Sequence, residues 1–218
     1  MRSLLAEAIG TFALVFAGCG AIVVDAKTHA LGHVGVAFTF GLVIMVMIYA
    51  VGHVSGAHFN PAVTFAFALS RHFPWTRAVG YWSAQLAGAL LAALLLRGSL
   101  GSDAHDGATL PSGSQGQAFL WELVLTFFLM FVIMAVATDS RAVGEAAAIA
   151  IGGTVGLDAL FGGPVTGASM NPARSFAPAV VSGDLHALWL YVVAPVTGAA
   201  LAAMTYRYLR AQPNLPVT

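Results

Sequence analysis

Charge is what this sequence has least of. Asp, Glu, Lys and Arg together are 8% of 218 residues, nine basic and nine acidic. A soluble globular domain carries about 25% and needs it to keep its surface wetted, so a water-soluble fold is excluded. The even balance leaves no basic stripe, which removes nucleic acid as a partner. Cysteine is almost missing: Cys19 stands alone, so no disulfide can close within the chain, and it reads as a small apolar helix residue. His53 and His58 are close in sequence, but no third ligand is placed near them, so no metal site is expected. No nucleophile–base pair is evident either, which argues against an enzyme and leaves no role for a cofactor.

Apolar residues fill the space that charge leaves. AVILMFWYC residues make up 59% of the chain, mean hydropathy is +0.85, and there are 24 glycines. The charges are bunched, and the gaps between them have the length of a bilayer. Ala8–Val24, Val34–Gly52, Ala78–Leu96, Leu123–Thr138 and Ala187–Tyr206 hold no charge. Each approaches the roughly 17–25 residues a helix needs to cross hydrocarbon. A sixth span runs from about Gly144 to Gly163 and contains Asp158. Pro61–Ser70 and Pro172–Val181 are too short. Ten helical residues rise about 15 Å, half a membrane, which predicts re-entrant half-helices. The fold expected is an all-α membrane protein with six transmembrane helices and two half-helices. Phe16-Ala17-Gly18-Cys19 loosely resembles a lipoprotein cleavage site, but Glu7 interrupts the apolar run and cleavage would remove a whole span.

Basic loop residues set the orientation. With the N-terminus inside, one face carries Arg2, Arg71, Arg77, Arg141, Arg207 and Arg210, and the other only Lys27 and Arg97. Both termini are therefore expected on the cytoplasmic side of a plasma (inner) membrane.

The chain also repeats itself. Ala6-Glu7-Ala8-Ile9-Gly10-Thr11-Phe12 returns as Trp121-Glu122-Leu123-Val124-Leu125-Thr126-Phe127. Gly52 to Ala62 returns as Gly163 to Ala173, each closing on Asn-Pro-Ala. The repeats run from about 4 to 97 and 118 to 208 within a single domain over 1–218. Each holds three spans, an odd number, so the second copy enters the membrane from the opposite face.

Asparagine caps a helix well and proline suits its first position, so Asn60-Pro61-Ala62 and Asn171-Pro172-Ala173 start the half-helices. Their positive ends, about half a charge each, face one small volume at mid-membrane. Each asparagine oxygen can cap its own helix while the N–H2 group points into the lumen. Such a site disfavours cations and breaks a proton wire, while neutral hydrogen-bonding molecules pass. Arg174, three residues after Asn171, is a charge at membrane depth and is read as lining a pore. Glu7 and Glu122, equivalent in the two copies, are expected to accept hydrogen bonds from irregular backbone beside the half-helices. Asp158 has no assignable role.

These residues resemble the aquaporin superfamily from about Leu4 to Tyr206, and two Asn-Pro-Ala boxes with the arginine are specific to it. The resemblance implies a homotetramer in lipid with one pore per protomer. Gly167, Ala168 and Ser169 then correspond to an extended segment whose carbonyls accept from permeating molecules. The family's filter positions fall on Phe40, Ala159, Ala168 and Arg174. Water-selective members usually carry histidine where this chain has Ala159, so a wider, less polar filter is expected. Ser175 and Ala179 depart from the glycerol facilitators. Gly167 to Ser175, with Tyr191-Val192 before Pro195, looks most like the nodulin-26-like branch and its bacterial relatives. That implies a passive channel for water and small uncharged solutes such as glycerol, urea and arsenous or boric acid, closed to protons and ions. A strictly water-selective channel and an ion-coupled inverted-repeat transporter are the alternatives.

Overall fold

The computed structural model describes residues 1–138 and 146–210, and among these the regular structure is helical, without strands. Six helices are long and apolar enough to cross a membrane: α1 (Arg2–Thr28), α2 (Gly32–Ser55), α4 (Trp75–Leu100), α5 (Gln115–Thr138), α6 (Ala147–Thr166) and α8 (Leu188–Arg210). Two are short, α3 (Pro61–Leu69) and α7 (Pro172–Ser182). Nine and eleven residues rise about 14 and 17 Å, enough to reach only the middle of the bilayer. Arg141 and the start of the sixth span at Gly144 lie outside the described residues.

The spanning helices overshoot the charge-free runs because a helix satisfies its own backbone wherever it continues. Lys27 and Arg97 sit in the last turns of α1 and α4. There they meet Asp103 and Asp106 of the loop between α4 and α5, at 2.8 and 2.6 Å. The short helices start where the sequence caps them. Asn60 Oδ1 accepts from Ala62 N at 2.8 Å, and Asn171 Oδ1 from Ala173 N at 2.9 Å.

Packing follows the sequence repeat, with α1 on α4, α5 on α8, and α2 on α6. At each crossing a glycine brings two backbones together. A Cβ on Gly88 would overlap the Ala8 carbonyl, and one on Gly198 the Leu123 carbonyl. Gly41 and Gly152, 111 residues apart, oppose each other's carbonyls across the α2–α6 crossing, at 2.7 and 2.6 Å from the added Cβ. Lipid tails are as apolar as leucine, so close backbone contact of this kind, rather than water exclusion, holds such helices together. Large apolar side chains such as Phe38, Leu42, Leu94, Leu120 and Leu157 are exposed on the outer faces, where hydrocarbon accepts them.

Candidate functional site

The two half-helices are approached through irregular backbone that no helix ladder satisfies. Gly56, Ala57 and Phe59 have φ of 88, 50 and 49°; Gly167, Ala168 and Met170 have 83, 41 and 54°. Left-handed conformation costs a non-glycine residue about 1 kcal/mol or more, so four such residues need outside support. One buried carboxylate supplies acceptors to each segment. Glu7 accepts from Ser55 Oγ at 2.7 Å, His58 N at 3.0 Å, Phe59 N at 2.8 Å and Gln85 Nε2 at 2.7 Å. Glu122 accepts from Thr166 Oγ1, Ser169 N and Met170 N, each at 2.8 Å. Two tyrosines add a matching tie. Tyr81 Oη donates to the Ser55 carbonyl at 2.8 Å, and Tyr191 Oη to the Thr166 carbonyl at 2.6 Å.

The asparagines do more than point at a lumen. Asn60 Nδ2 donates to the Met170 carbonyl at 2.7 Å, and Asn171 Nδ2 donates to the Phe59 carbonyl at 2.9 Å. This corrects the expectation that both amides simply face the lumen. One hydrogen of each amide cross-links the two halves, and only the second remains for a passing molecule. The sequence repeat places the two Asn-Pro-Ala boxes alike, but a hydrogen bond between residues 110 positions apart leaves no local mark.

A cavity of about 450 Å³ runs past both asparagines. Phe40, Ala159, Ala168 and Arg174 all line it, along with Leu14, His58, Val63, Met170 and His72. The four proposed filter positions, from α2, α6, the segment before Asn171 and α7, thus line one cavity. The Arg174 guanidinium lies over the Phe40 ring, 5.0 Å from its centroid, a cation–π arrangement. Arg174 Nη1 donates to the Gly107 carbonyl at 2.7 Å and contacts Cys19 Sγ at 3.4 Å. Its Nε and Nη2 make no hydrogen bond among the described residues, which leaves them for a solute. The arginine is 1% exposed and has no ion-pair partner among the described residues. On the Phe40 side the ring edge lies against Gly18, where an added Cβ would overlap it.

His58 lines the cavity, with Nδ1 3.0 Å from Thr64 Oγ1, whereas His53 is exposed on α2 and away from it. Among the described residues no cluster of three metal-ligating side chains forms. Asp158 is buried, with one carboxylate oxygen unpartnered among the described residues, and it does not line the cavity. Sequence reasoning passed over Gln85, which bridges Glu7 and Thr64. Its signal was a lone amide in an otherwise apolar span. Cys19, read as bland, touches Arg174.

Comparison with known proteins follows the same lines. The family described as Major intrinsic protein matches residues 1–206. The chain is 50% identical to Aquaporin NIP1-1 of Oryza sativa subsp. japonica over 212 residues, 96% of this chain and 75% of that one. Nodulin-26 of Glycine max is 51% identical over 213 residues, covering 96% and 78%. Among solved structures, the aquaglyceroporin from Plasmodium falciparum superposes with a TM-score of 0.84 at 26% identity, covering 96% of both chains.

Proposed function

The chain belongs to the major intrinsic protein family, and on that premise we propose how its multi-pass channel selects among solutes. Members of the family are channels rather than enzymes, and this chain is a passive channel for water and small solutes. The finer reading is that it passes water together with glycerol, urea and neutral metalloid hydroxides such as arsenous or boric acid, and excludes protons and ions. One observation carries it: of the four side chains at the filter positions, all lining the cavity, two are methyl groups, Ala159 and Ala168. An opening lined by Phe40 on one side and two alanines on others accepts a carbon backbone, while Arg174 offers donors to hydroxyl oxygens.

Exclusion of cations rests on positive charge at two levels. A cation meets the Arg174 guanidinium, then two helix N-termini and two amide donors at Asn60 and Asn171. Water between those donors turns its own hydrogens away from the centre, so a proton finds no continuous chain of acceptors.

Repeats of about 4–97 and 118–208 form one channel unit in this reading. Four copies assemble in lipid through their exposed apolar faces, each with its own pore. The basic residues Arg2, Arg71, Arg77, Arg207 and Arg210 put both termini in the cytoplasm, at a plasma (inner) membrane.

Stopped-flow light scattering on proteoliposomes tests the solute range. Reswelling in glycerol, urea and arsenous acid is expected to exceed that of protein-free vesicles. Water flux without solute reswelling would favour the strictly water-selective reading, which the close Phe40–Arg174 contact supports. Ala159→His adds a ring to the opening and should lower glycerol flux at least fivefold while water flux stays within twofold.

A further inference from the structure

The loop between α4 and α5 carries a cluster that the half-helices do not use. Ala104, His105 and Asp106 are three successive non-glycine residues at φ 48, 48 and 57°, followed by Gly107 at 76°. Such a run unwinds unless something holds it. On its outer side Asp106 Oδ2 accepts from Arg97 Nη1 at 2.6 Å. The aspartate is 1% exposed, although the arginine side chain is 43% exposed. On its inner side Gly107 rests on α1, and a Cβ there would come within 2.7 Å of Cys19 Cβ. The segment then runs as a strap over the start of α7 and the end of α6. The Gly107 carbonyl accepts from Arg174 Nη1 at 2.7 Å, Thr109 Oγ1 lies 2.6 Å from Ser175 Oγ, and Ser112 Oγ donates to the Val165 carbonyl at 2.8 Å.

The ion pair therefore stands one residue from the carbonyl that holds the filter arginine. We infer that Arg97 and Asp106 are a positioning pair for permeation: they clamp the strap so that the Gly107 carbonyl holds Arg174 at its place in the opening. This deepens the channel reading and rests on it. Burial is the reason the pair does more than an exposed bridge. An exposed pair is worth little, but removing Arg97 leaves the Asp106 carboxylate uncompensated inside protein, a strongly unfavourable state. The strap relieves it by lifting into water, and the Gly107 carbonyl leaves Arg174 with it. Freed from that acceptor, the guanidinium swings aside and the opening widens.

Cys19 makes the movement measurable. It is the only cysteine in the chain, is fully buried, and is covered by Gly107. A charged maleimide added to purified protein labels it slowly while the strap is down. Arg97→Gln, which strands the carboxylate, is expected to speed labelling at least tenfold and to raise the glycerol-to-water permeability ratio at least threefold; Asp106→Asn, which breaks the pair without stranding a charge, should raise both by less but by more than twofold. Arg97→Lys, which keeps the charge, should remain within twofold of the parent in both. Faster labelling without a change in the ratio would overturn the positioning role, as would unchanged labelling. Should Arg97→Gln fail to fold, Asp106→Asn against Arg97→Lys decides by the same two readouts. A parent protein passing no glycerol would instead sink the solute reading, and labelling would still decide whether the pair clamps the strap.

Discussion

Replacing Glu122 with glutamine should destabilise the protein, the same change at Glu7 should cost at least as much, and the hydrogen bonds give the magnitude. Glu122 Oε1 accepts from Thr166 Oγ1 and Ser169 N, and Oε2 accepts from Met170 N. A glutamine oxygen can keep the first two, but its N–H2 group then confronts the Met170 N–H. Leaving one buried backbone donor unpaired costs about 1–3 kcal/mol. Met170 is also one of the left-handed residues, so the lost bond falls where backbone strain is held. At Glu7 the exchanged oxygen serves Phe59 N and Gln85 Nε2. Gln85 Oε1 is buried without a partner among the described residues. Rotating that amide offers an acceptor to the new N–H2 group but gives up the Gln85 bond to Thr64 Oγ1, so Phe59 N stays unpaired and the cost is again about 1–3 kcal/mol. In a chain of this size about 1 kcal/mol moves the thermal midpoint by roughly 2–4 °C. Glu122→Gln should therefore lower it by about 2–12 °C, and Glu7→Gln by at least as much. Intrinsic tryptophan fluorescence during heating of the detergent-purified protein reads both. A midpoint for either variant within 1 °C of the parent would refute the argument.

Other consequences are simpler. Gly198→Ala drives a methyl group into the Leu123 carbonyl, which cannot move without parting α5 from α8. It should cost about 1–3 kcal/mol, seen as a lower thermal midpoint, whereas Gly20→Ala, facing only a leucine methyl at 3.1 Å, should cost little. Gly18→Ala fills the recess behind Phe40 and pushes its ring toward the lumen, so glycerol reswelling should slow at least threefold; an unchanged rate would mean the ring retreats elsewhere. His72, at the cavity mouth beyond α3, is held below the ordinary imidazole range by burial and by the positive charges of Arg210 and Arg207, against a bond from Ser70 that raises it. A lowered value keeps the ring neutral further into acid. Water permeability should therefore stay level from pH 7.5 to 6.5, where an ordinary imidazole is already half charged at about 6.5; a fall across that interval would contradict it.

How much of this was open to a reading of the sequence depends on the range of each interaction. Hydrocarbon excludes charge, so the bunching of 18 charged residues marks where helices cross without reference to anything else in the fold. Asn60-Pro61 and Asn171-Pro172 start short helices because capping is local chemistry between residues two or three apart. The sequence repeat pairs Glu7 with Glu122 before any contact is known. Tertiary structure alone decided the rest. The cross-link of each asparagine to the opposite carbonyl, the seating of Cys19 and Gly107 beside Arg174, the Gly18 recess and the Arg97–Asp106 clamp all depend on how the chain closes in three dimensions. Most join residues far apart along it. Periodicity and spacing carry no information about such closures, because a single side chain meeting a distant carbonyl repeats nowhere in the sequence. They depend on where glycine lets two helix backbones touch.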